Sequence, residues 1–184
     1  MYVAIAVCSS YHITTFNTNI NCVCTITYIS VLHGYELIGR HKDQNIELAH
    51  KTAIEQDDPI LQQISQLCAQ YHIGVCVGYI ERDSNNQSLY NSAVMYNTDG
   101  RMLVNYRKVH LWSADEINLF RTGDLYPVVD VNLQNNQSIK VGINICYDLE
   151  FPECARICAL QRAHVLFVPT ALTMSDWSVN IKYR

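Results

Sequence analysis

The stretch from Lys140 to Thr170 constrains the fold of this chain more than any other. Its first part, 141–145, places strand-forming apolar residues at alternate positions. Residues 152–160 then begin with proline and continue with small and apolar residues that suit a packed helix. A second apolar strand follows at 165–168. Strand, helix and strand within about 30 residues predict a βαβ unit, and therefore parallel strands in an α/β sheet.

Cys146 directly follows the first of these strands, where the chain has to turn towards the helix. The carboxyl ends of parallel strands face the crevice in which α/β proteins bind their ligands. The amino terminus of the following helix adds a positive dipole end, which favours the thiolate form of a cysteine. Cys146 is therefore a candidate nucleophile. A free cysteine that only packs in the core is the alternative that the spacing leaves open.

The string around this cysteine, I-N-I-C-Y-D-L-E-F-P-E-C-A-R, resembles the nucleophile motif of the nitrilase superfamily, the carbon–nitrogen hydrolases. That motif reads G-x-x-x-C-Y-D-x-x-F-P-E-x-x-R, and eight positions match it: Gly142, Cys146, Tyr147, Asp148, Phe151, Pro152, Glu153 and Arg156. The resemblance implies that the Cys146 thiol attacks an amide or nitrile carbon. It also implies that the backbone N–H of Tyr147 helps to hold the oxyanion.

A second string, Y-R-K-V-H-L at 106–111, resembles the family's catalytic-lysine string and follows a hairpin predicted around Asp99-Gly100. The resemblance makes Lys108 the cation that stabilises the oxyanion. It also matches Glu116 to a glutamate that orients this lysine or assists proton transfer. Residues 121–124, R-T-G-D, resemble the family's F-x-x-G-D turn. From their positions alone, Lys108 is predicted to be a surface lysine and Glu116 an exposed acid at the start of a helix.

The family's third catalytic group, a general-base glutamate in F-P-E-x-x-x-x-G-Y, has no match in this sequence. Gly34 and Tyr35 match the end of that string, but Ile29 stands in the place of the glutamate. Residues 1–35 contain no Asp, Glu, Lys or Arg, so nothing there replaces it. Because a general base contributes about 10²–10⁴ in rate, we expect impaired activity.

The break in the resemblance predicts two parts, a divergent uncharged leader at 1–33 and a partial carbon–nitrogen hydrolase domain at 34–184. The resemblance implies the family's four-layer α-β-β-α sandwich, here expected without its C-terminal third. We interpret the chain as a truncated or misassembled version of a family member.

Composition narrows the class of protein. A hydrophobic content of 49% and a charged content of 16% are typical of a globular protein, and a net charge of −4 argues against nucleic acid as a partner. Eight cysteines without paired C-x-x-C sets predict free thiols in the cytoplasm and no metal site. The apolar runs of the leader are too short to span a bilayer, although membrane tethering through this leader is an open alternative.

The sequence therefore predicts a hydrolase that acts on non-peptide C–N bonds of small linear amides through a cysteine thioester. The resemblance favours an amidase or carbamoyl-amide hydrolase over a true nitrilase. It implies no metal or organic cofactor, and it implies a homo-oligomer. The main alternative is a non-catalytic module that associates with full-length subunits.

Overall fold

The computed structural model describes residues 4–8, 23–26, 42–132 and 138–170. The strands in these ranges are β1 (Ala4–Cys8), β2 (Val23–Ile26), β3 (Gly74–Arg82), β4 (Leu89–Tyr96), β5 (Met102–Arg107), β6 (Val128–Asn132), β7 (Ser138–Ile143) and β8 (Val165–Pro169). The helices are α1 (Lys42–Thr52), α2 (Pro59–Tyr71), α3 (Ser113–Leu119) and α4 (Pro152–Leu160). A 3₁₀ turn, Cys146–Glu150, precedes α4 and is called the cysteine turn below.

The strands form two four-stranded sheets, with the orders β1-β8-β7-β6 and β2-β3-β4-β5. In the first sheet β1, β8 and β7 are parallel, and β6 joins β7 antiparallel. In the second sheet β2 is parallel to β3, and β3, β4 and β5 form an antiparallel meander. The βαβ unit predicted for 140–170 is confirmed as β7, α4 and β8.

The main core lies between the two sheets. Side chains alternate between the faces of a strand, so every second residue points into this core. Cys76 and Met95 from one sheet pack there with Ile143 and Phe167 from the other. The neighbouring Val77 faces the opposite side of its sheet.

A helix covers the outer face of each sheet. On one side, α2 packs Leu61 and Cys68 against β3 and β4. On the other side, α4 packs Cys158 against Leu166 and Val168 of β8. The layers are therefore helix, sheet, sheet and helix, which confirms the α-β-β-α sandwich expected from the sequence.

Helix α2 shows why the sequence signals at its ends were reliable. Its N-cap, Asp58, accepts a hydrogen bond from the N–H of Ile60, and Pro59 takes the first helical position. Its C-cap, His72, adopts the left-handed conformation with a φ of 52°. Helix α1 and strand β6 carry no comparable pattern. Among the described side chains of α1 only Ala49 is buried, and in β6 only Val131 is.

Strands β1 and β2 both lie within the predicted leader, 1–33, and pair with β8 and β3 respectively. The boundary at residue 33 stays a prediction. Within the described residues, each helix is too short or too polar to cross a membrane.

Candidate active site

Cys146 begins a sharp turn three residues after β7 ends. Its φ of +46° lies in the left-handed region, which residues other than glycine seldom adopt. Its side chain is half-buried and packs at the edge of the core between the sheets. A strained turn between a strand and a helix is the geometry of a nucleophile elbow, which presents a side chain at the end of the sheet.

Gly142 of the cysteine motif lets α4 approach β7. A Cβ atom at this position would lie 3.0 Å from the Sγ of Cys158 and 3.1 Å from the Cδ1 of Leu166. Contacts this short would force the helix outwards. The glycine therefore fixes the distance between the strand that leads to Cys146 and the helix that follows it.

Asp148 connects the cysteine turn to the segment around the predicted catalytic lysine. The carboxylate is fully buried, and its Oδ2 accepts hydrogen bonds from the Ile145 N–H at 2.9 Å and the Tyr106 hydroxyl at 2.7 Å. Its Oδ1 accepts a hydrogen bond from the His110 N–H at 2.8 Å. Since Tyr106 and His110 flank Lys108 on both sides, Asp148 holds the lysine segment against the cysteine turn.

The Tyr106 hydroxyl is a permanent donor in this arrangement. Burial, together with the neighbouring Asp148 carboxylate, raises the pKa of Tyr106 well above its ordinary value. The phenol therefore stays protonated over the pH range in which proteins are stable, and the hydrogen bond to Asp148 persists.

Lys108 is a buried lysine, not the surface residue that its position after a hairpin suggested. Its Nζ lies 2.8 Å from the Oε2 of Glu116, which is also buried. Glu116 further accepts hydrogen bonds from the Trp112 N–H at 2.6 Å and from the Asn91 Nδ2 at 3.0 Å. Three donors thus hold the carboxylate in place, and the carboxylate in turn fixes the ammonium.

The backbone of Lys108 is fixed as well. Its N–H donates to the carbonyl of Asn91 at 2.8 Å, and its carbonyl accepts from the Gly123 N–H at 2.8 Å. Gly123 belongs to the R-T-G-D turn, and a Cβ atom there would overlap the carbonyl group of Arg107. The turn can therefore lie against the lysine segment only because residue 123 has no side chain.

Phe151 and His110 join the two motif strings by direct ring contact. Their rings stack with centroids 3.8 Å apart and planes 16° from parallel. Tyr147 meets Phe151 edge-on, with centroids 5.3 Å apart. The aromatic residue of F-P-E thus packs against the histidine of Y-R-K-x-H-L.

Three buried thiols elsewhere in the fold are poorly suited to nucleophilic chemistry. Burial raises the pKa of Cys76 to about 12, and the pKa values of Cys68 and Cys158 to about 11 each. A thiol attacks as its thiolate, so these three are inert near neutral pH. Cys154 is also buried, which leaves Cys146 as the half-exposed cysteine among those that the structure describes.

The structure brings Lys108 and Glu116 together and places the lysine segment beside the turn that carries Cys146 and Tyr147. Ile29, which stands where the resemblance places the general base, lies outside the described residues. Sequence reasoning missed that Asp148 and Asn91 organise the site. Asp148 is a position of the cysteine motif, but its hydrogen-bond partners Tyr106 and His110 are distant in sequence and give no local signal.

Comparison with known proteins agrees with this arrangement. A carbon–nitrogen hydrolase family model matches residues 24–183. Omega-amidase NIT2-B of Xenopus laevis is 33% identical over 132 residues, which cover 70% of this chain and 46% of the relative. The crystal structure of Saccharomyces cerevisiae Nit3, a member of branch 10 of the nitrilase superfamily, matches with a TM-score of 0.64 at 26% identity, covering 73% of this chain and 49% of Nit3.

A third match is a mutant of the amidase from Nesterenkonia sp. AN1, with a TM-score of 0.56 at 25% identity. It covers 67% of this chain and 45% of the amidase, whose active-site cysteine carries the covalently added acetamide moiety of fluoroacetamide. The chain spans about half the length of the curated relatives it matches.

The two strings that suggested a family from the sequence, around Lys108 and Cys146, both lie within the matched range. They fold against each other through Asp148, and the sandwich around them is that of the matched structures. This protein therefore belongs to the carbon–nitrogen hydrolase family, within the nitrilase superfamily.

Proposed function

We propose that this protein hydrolyses the C–N bond of small linear amides, with Cys146 as nucleophile and Lys108 as the oxyanion-stabilising cation. The buried Lys108–Glu116 pair is the observation that carries the proposal. Two charges removed from water cost several kcal/mol each before their attraction is counted, so such a pair is a poor device for stability alone. A fixed, desolvated ammonium is well suited to stabilise negative charge that develops in a transition state.

In the proposed reaction the Cys146 sulfur attacks the amide carbon and forms a C–S bond. The carbonyl oxygen becomes an oxyanion, held by the Lys108 ammonium and the Tyr147 N–H. Collapse of this intermediate breaks the C–N bond, and the leaving amine takes the proton that the thiol gave up. Water then attacks the thioester, which releases the carboxylic acid and restores the thiol.

Glu116 orients Lys108 in this scheme and does not replace the missing base. Its Oε2 already accepts hydrogen bonds from Lys108 and Trp112, and its Oε1 accepts one from Asn91. A carboxylate engaged on both oxygens is poorly placed to take a proton from a thiol. With Ile29 in the position of the general base, we propose that turnover is slowed by about 10²–10⁴.

Support for a small amide as the substrate comes from the relatives. One is named an omega-amidase, and the active-site cysteine of another carries a two-carbon amide adduct.

We propose no metal or organic cofactor for this reaction. We also propose a cytoplasmic location, and the free thiols at the described positions 68, 76, 146, 154 and 158 support it.

Fluoroacetamide tests the proposal directly, because an unactivated thiol displaces fluoride poorly. In the expected reaction the Cys146 sulfur bonds to the CH₂ carbon and fluoride leaves, which adds one acetamide group. Peptide mapping by mass spectrometry should find the adduct at Cys146, and ammonia release from acetamide should disappear in Cys146→Ala. Cys158→Ala is the matched control and should keep both signals. Absence of both, or an adduct spread equally over the other cysteines, would refute the proposal.

The second candidate is a non-catalytic module that associates with full-length family members, and the observation in its favour is Ile29 in the place of the base. Co-expression with a full-length carbon–nitrogen hydrolase followed by size-exclusion chromatography separates the two candidates. A stable mixed complex without ammonia release supports the module. Ammonia release by the separate chain supports the hydrolase.

A further inference from the structure

Behind the cysteine turn, side chains from separate segments bring four heteroatoms to one point. The Nδ1 of His110 lies 3.2 Å from the Oδ1 of Asp148 and 3.4 Å from the Sγ of Cys154. The hydroxyl of Tyr126 lies 3.4 Å from that nitrogen and 3.4 Å from that sulfur. The ligand atoms of His110, Asp148 and Cys154 all lie within 4.8 Å of one another.

Hydrogen bonds account for this convergence only in part. Cys154 Sγ donates to the Tyr126 hydroxyl, but His110 Nδ1 has three neighbours within hydrogen-bond distance. An imidazole nitrogen carries either one proton or one lone pair, so His110 Nδ1 can form a good hydrogen bond with one of its three neighbours. If Nδ1 donates to Asp148, it offers nothing to Tyr126 and Cys154. If it accepts from Tyr126, its lone pair faces the Asp148 carboxylate oxygen. A cation between the atoms would satisfy nitrogen, oxygen and sulfur together.

We propose that His110 Nδ1, Cys154 Sγ and Asp148 Oδ1 form a binding site for Zn²⁺ or a cation of similar softness. Zinc binds these three atom types at about 2.0–2.3 Å in a tetrahedral arrangement, which separates the ligand atoms by about 3.2–3.7 Å. The separations of 3.2 and 3.4 Å from Nδ1 already match this range, and the oxygen and sulfur, which lie within 4.8 Å of each other, can adjust to accept the ion. A water molecule or the Tyr126 hydroxyl would complete the coordination.

The surroundings suit a cation that enters from one side. Asp148 and Cys154 are fully buried, whereas 29% of the His110 side chain is exposed to solvent. The ligands come from the segment after β5, from the cysteine turn and from α4, so a bound ion would tie these three together. It would leave Asp148 Oδ2 free to keep its bonds to Tyr106 and Ile145. Binding should therefore stabilise the folded chain.

This site also explains why spacing predicted no metal ligands. Zinc motifs are recognised from closely spaced pairs such as C-x-x-C, and the three residues here belong to separate segments of the fold. Cys158 shares α4 with Cys154 but packs against β8 outside the cluster. It therefore provides a matched control, a buried cysteine one helical turn away.

Cobalt(II) is the probe, used on the full chain in a Cys146→Ala background so that the proposed nucleophile cannot act as a ligand. We expect a thiolate-to-cobalt charge-transfer band that saturates at one equivalent and is displaced by Zn²⁺. The band should be lost in Cys154→Ser and kept in Cys158→Ala. His110→Asn, at a partly exposed position, should weaken binding at least tenfold, because the loss of even an outer-shell partner of a ligand typically costs about 10- to 100-fold.

Two results of the cobalt titration would overturn the proposal. Absence of the band in the background protein would overturn the proposal. A band of unchanged strength in both Cys154→Ser and His110→Asn would assign the cobalt to another thiol and would overturn it as well. If Cys154→Ser fails to fold, the His110→Asn titration decides alone. These readouts are independent of amide hydrolysis, because the background protein lacks Cys146.

Discussion

The ammonium of Lys108 lies 2.8 Å from the carboxylate of Glu116, and the two side chains are only 2% and 5% exposed. The pair joins the residue after β5 to helix α3, with Asn91 bonded to both partners. Because both side chains are shielded from water, the loss of one charge leaves the other buried without a partner of opposite charge. Stability and the proposed chemistry therefore depend on the same contact.

Lys108→Met should lower the free energy of unfolding by about 3–5 kcal/mol, because Glu116 would be left as an uncompensated buried charge. Urea denaturation followed by circular dichroism measures the change. The double variant Lys108→Met/Glu116→Leu should recover part of the loss, since both charges are then absent. Losses that simply add in the double variant would show that the two side chains do not depend on each other.

Gly123→Ala tests the contact between the R-T-G-D turn and the lysine segment. The new Cβ would overlap the Arg107 carbonyl group and lie 2.9 Å from the Arg107 Cβ, so the backbone beside Lys108 must shift. We expect a loss of about 1–3 kcal/mol in unfolding free energy, together with slower fluoroacetamide labelling of Cys146. The control is Gly78→Ala, whose Cβ would meet the Ser92 carbonyl oxygen at an ordinary 3.7 Å. Equal effects of the two substitutions would contradict the steric argument.

Glu81 makes stability depend on pH. Burial alone would raise the pKa of this carboxyl group, but hydrogen bonds from Arg107, Ser92, Gln56 and Asn105 outweigh burial and lower it. The folded state therefore binds the Glu81 proton less readily than the unfolded state, whose pKa is about 4.3. This contribution to stability is complete well above that value and is lost as the pH falls through the lower, folded pKa.

Urea denaturation between neutral and acid pH should accordingly show a steeper loss of unfolding free energy in the unmodified protein than in Glu81→Gln. The glutamine keeps the size of the side chain but cannot titrate. Asp83, whose pKa is lowered by hydrogen bonds from Asn85 and Arg107, contributes to both curves. The difference between the curves isolates Glu81, and parallel curves would show that its proton is not linked to folding.

The parts of the fold that sequence reasoning predicted are those with a strong local pattern. Apolar periodicity and Pro152 predict the β7–α4–β8 unit, and Asp58 and Pro59 predict the start of α2. The apolar periodicity reports which face is buried, and the capping residues report where a helix begins. Helix α1 escaped prediction because its sequence is mostly polar and its contact with the core is small.

The site was only partly predictable for a different physical reason. The strings around Lys108 and Cys146 identify candidate reacting groups. The burial of the side chains in these strings, however, depends on partners distant along the chain. Lys108 can be buried because its ammonium donates to Glu116, which Asn91 also holds in place. Asp148 can be buried because Tyr106 and His110 donate hydrogen bonds to its carboxylate. Such compensation exists only once the sheets and turns are assembled, so a single sequence gives no direct signal for it.

Ile29 offers the most direct test of why the proposed hydrolase should be slow. The family places a general-base glutamate there, and an alkyl side chain cannot take a proton from a thiol. Ile29→Glu should therefore raise the rate of ammonia release from acetamide by about 10²–10⁴. Ile29→Gln is the matched control, because it introduces a polar side chain of the same length without a base.

The glutamate variant should gain activity that the glutamine variant lacks and that Cys146→Ala abolishes. This result would show that proton transfer from the thiol limits the reaction. Equal rates in the two variants would mean that residue 29 does not reach the nucleophile.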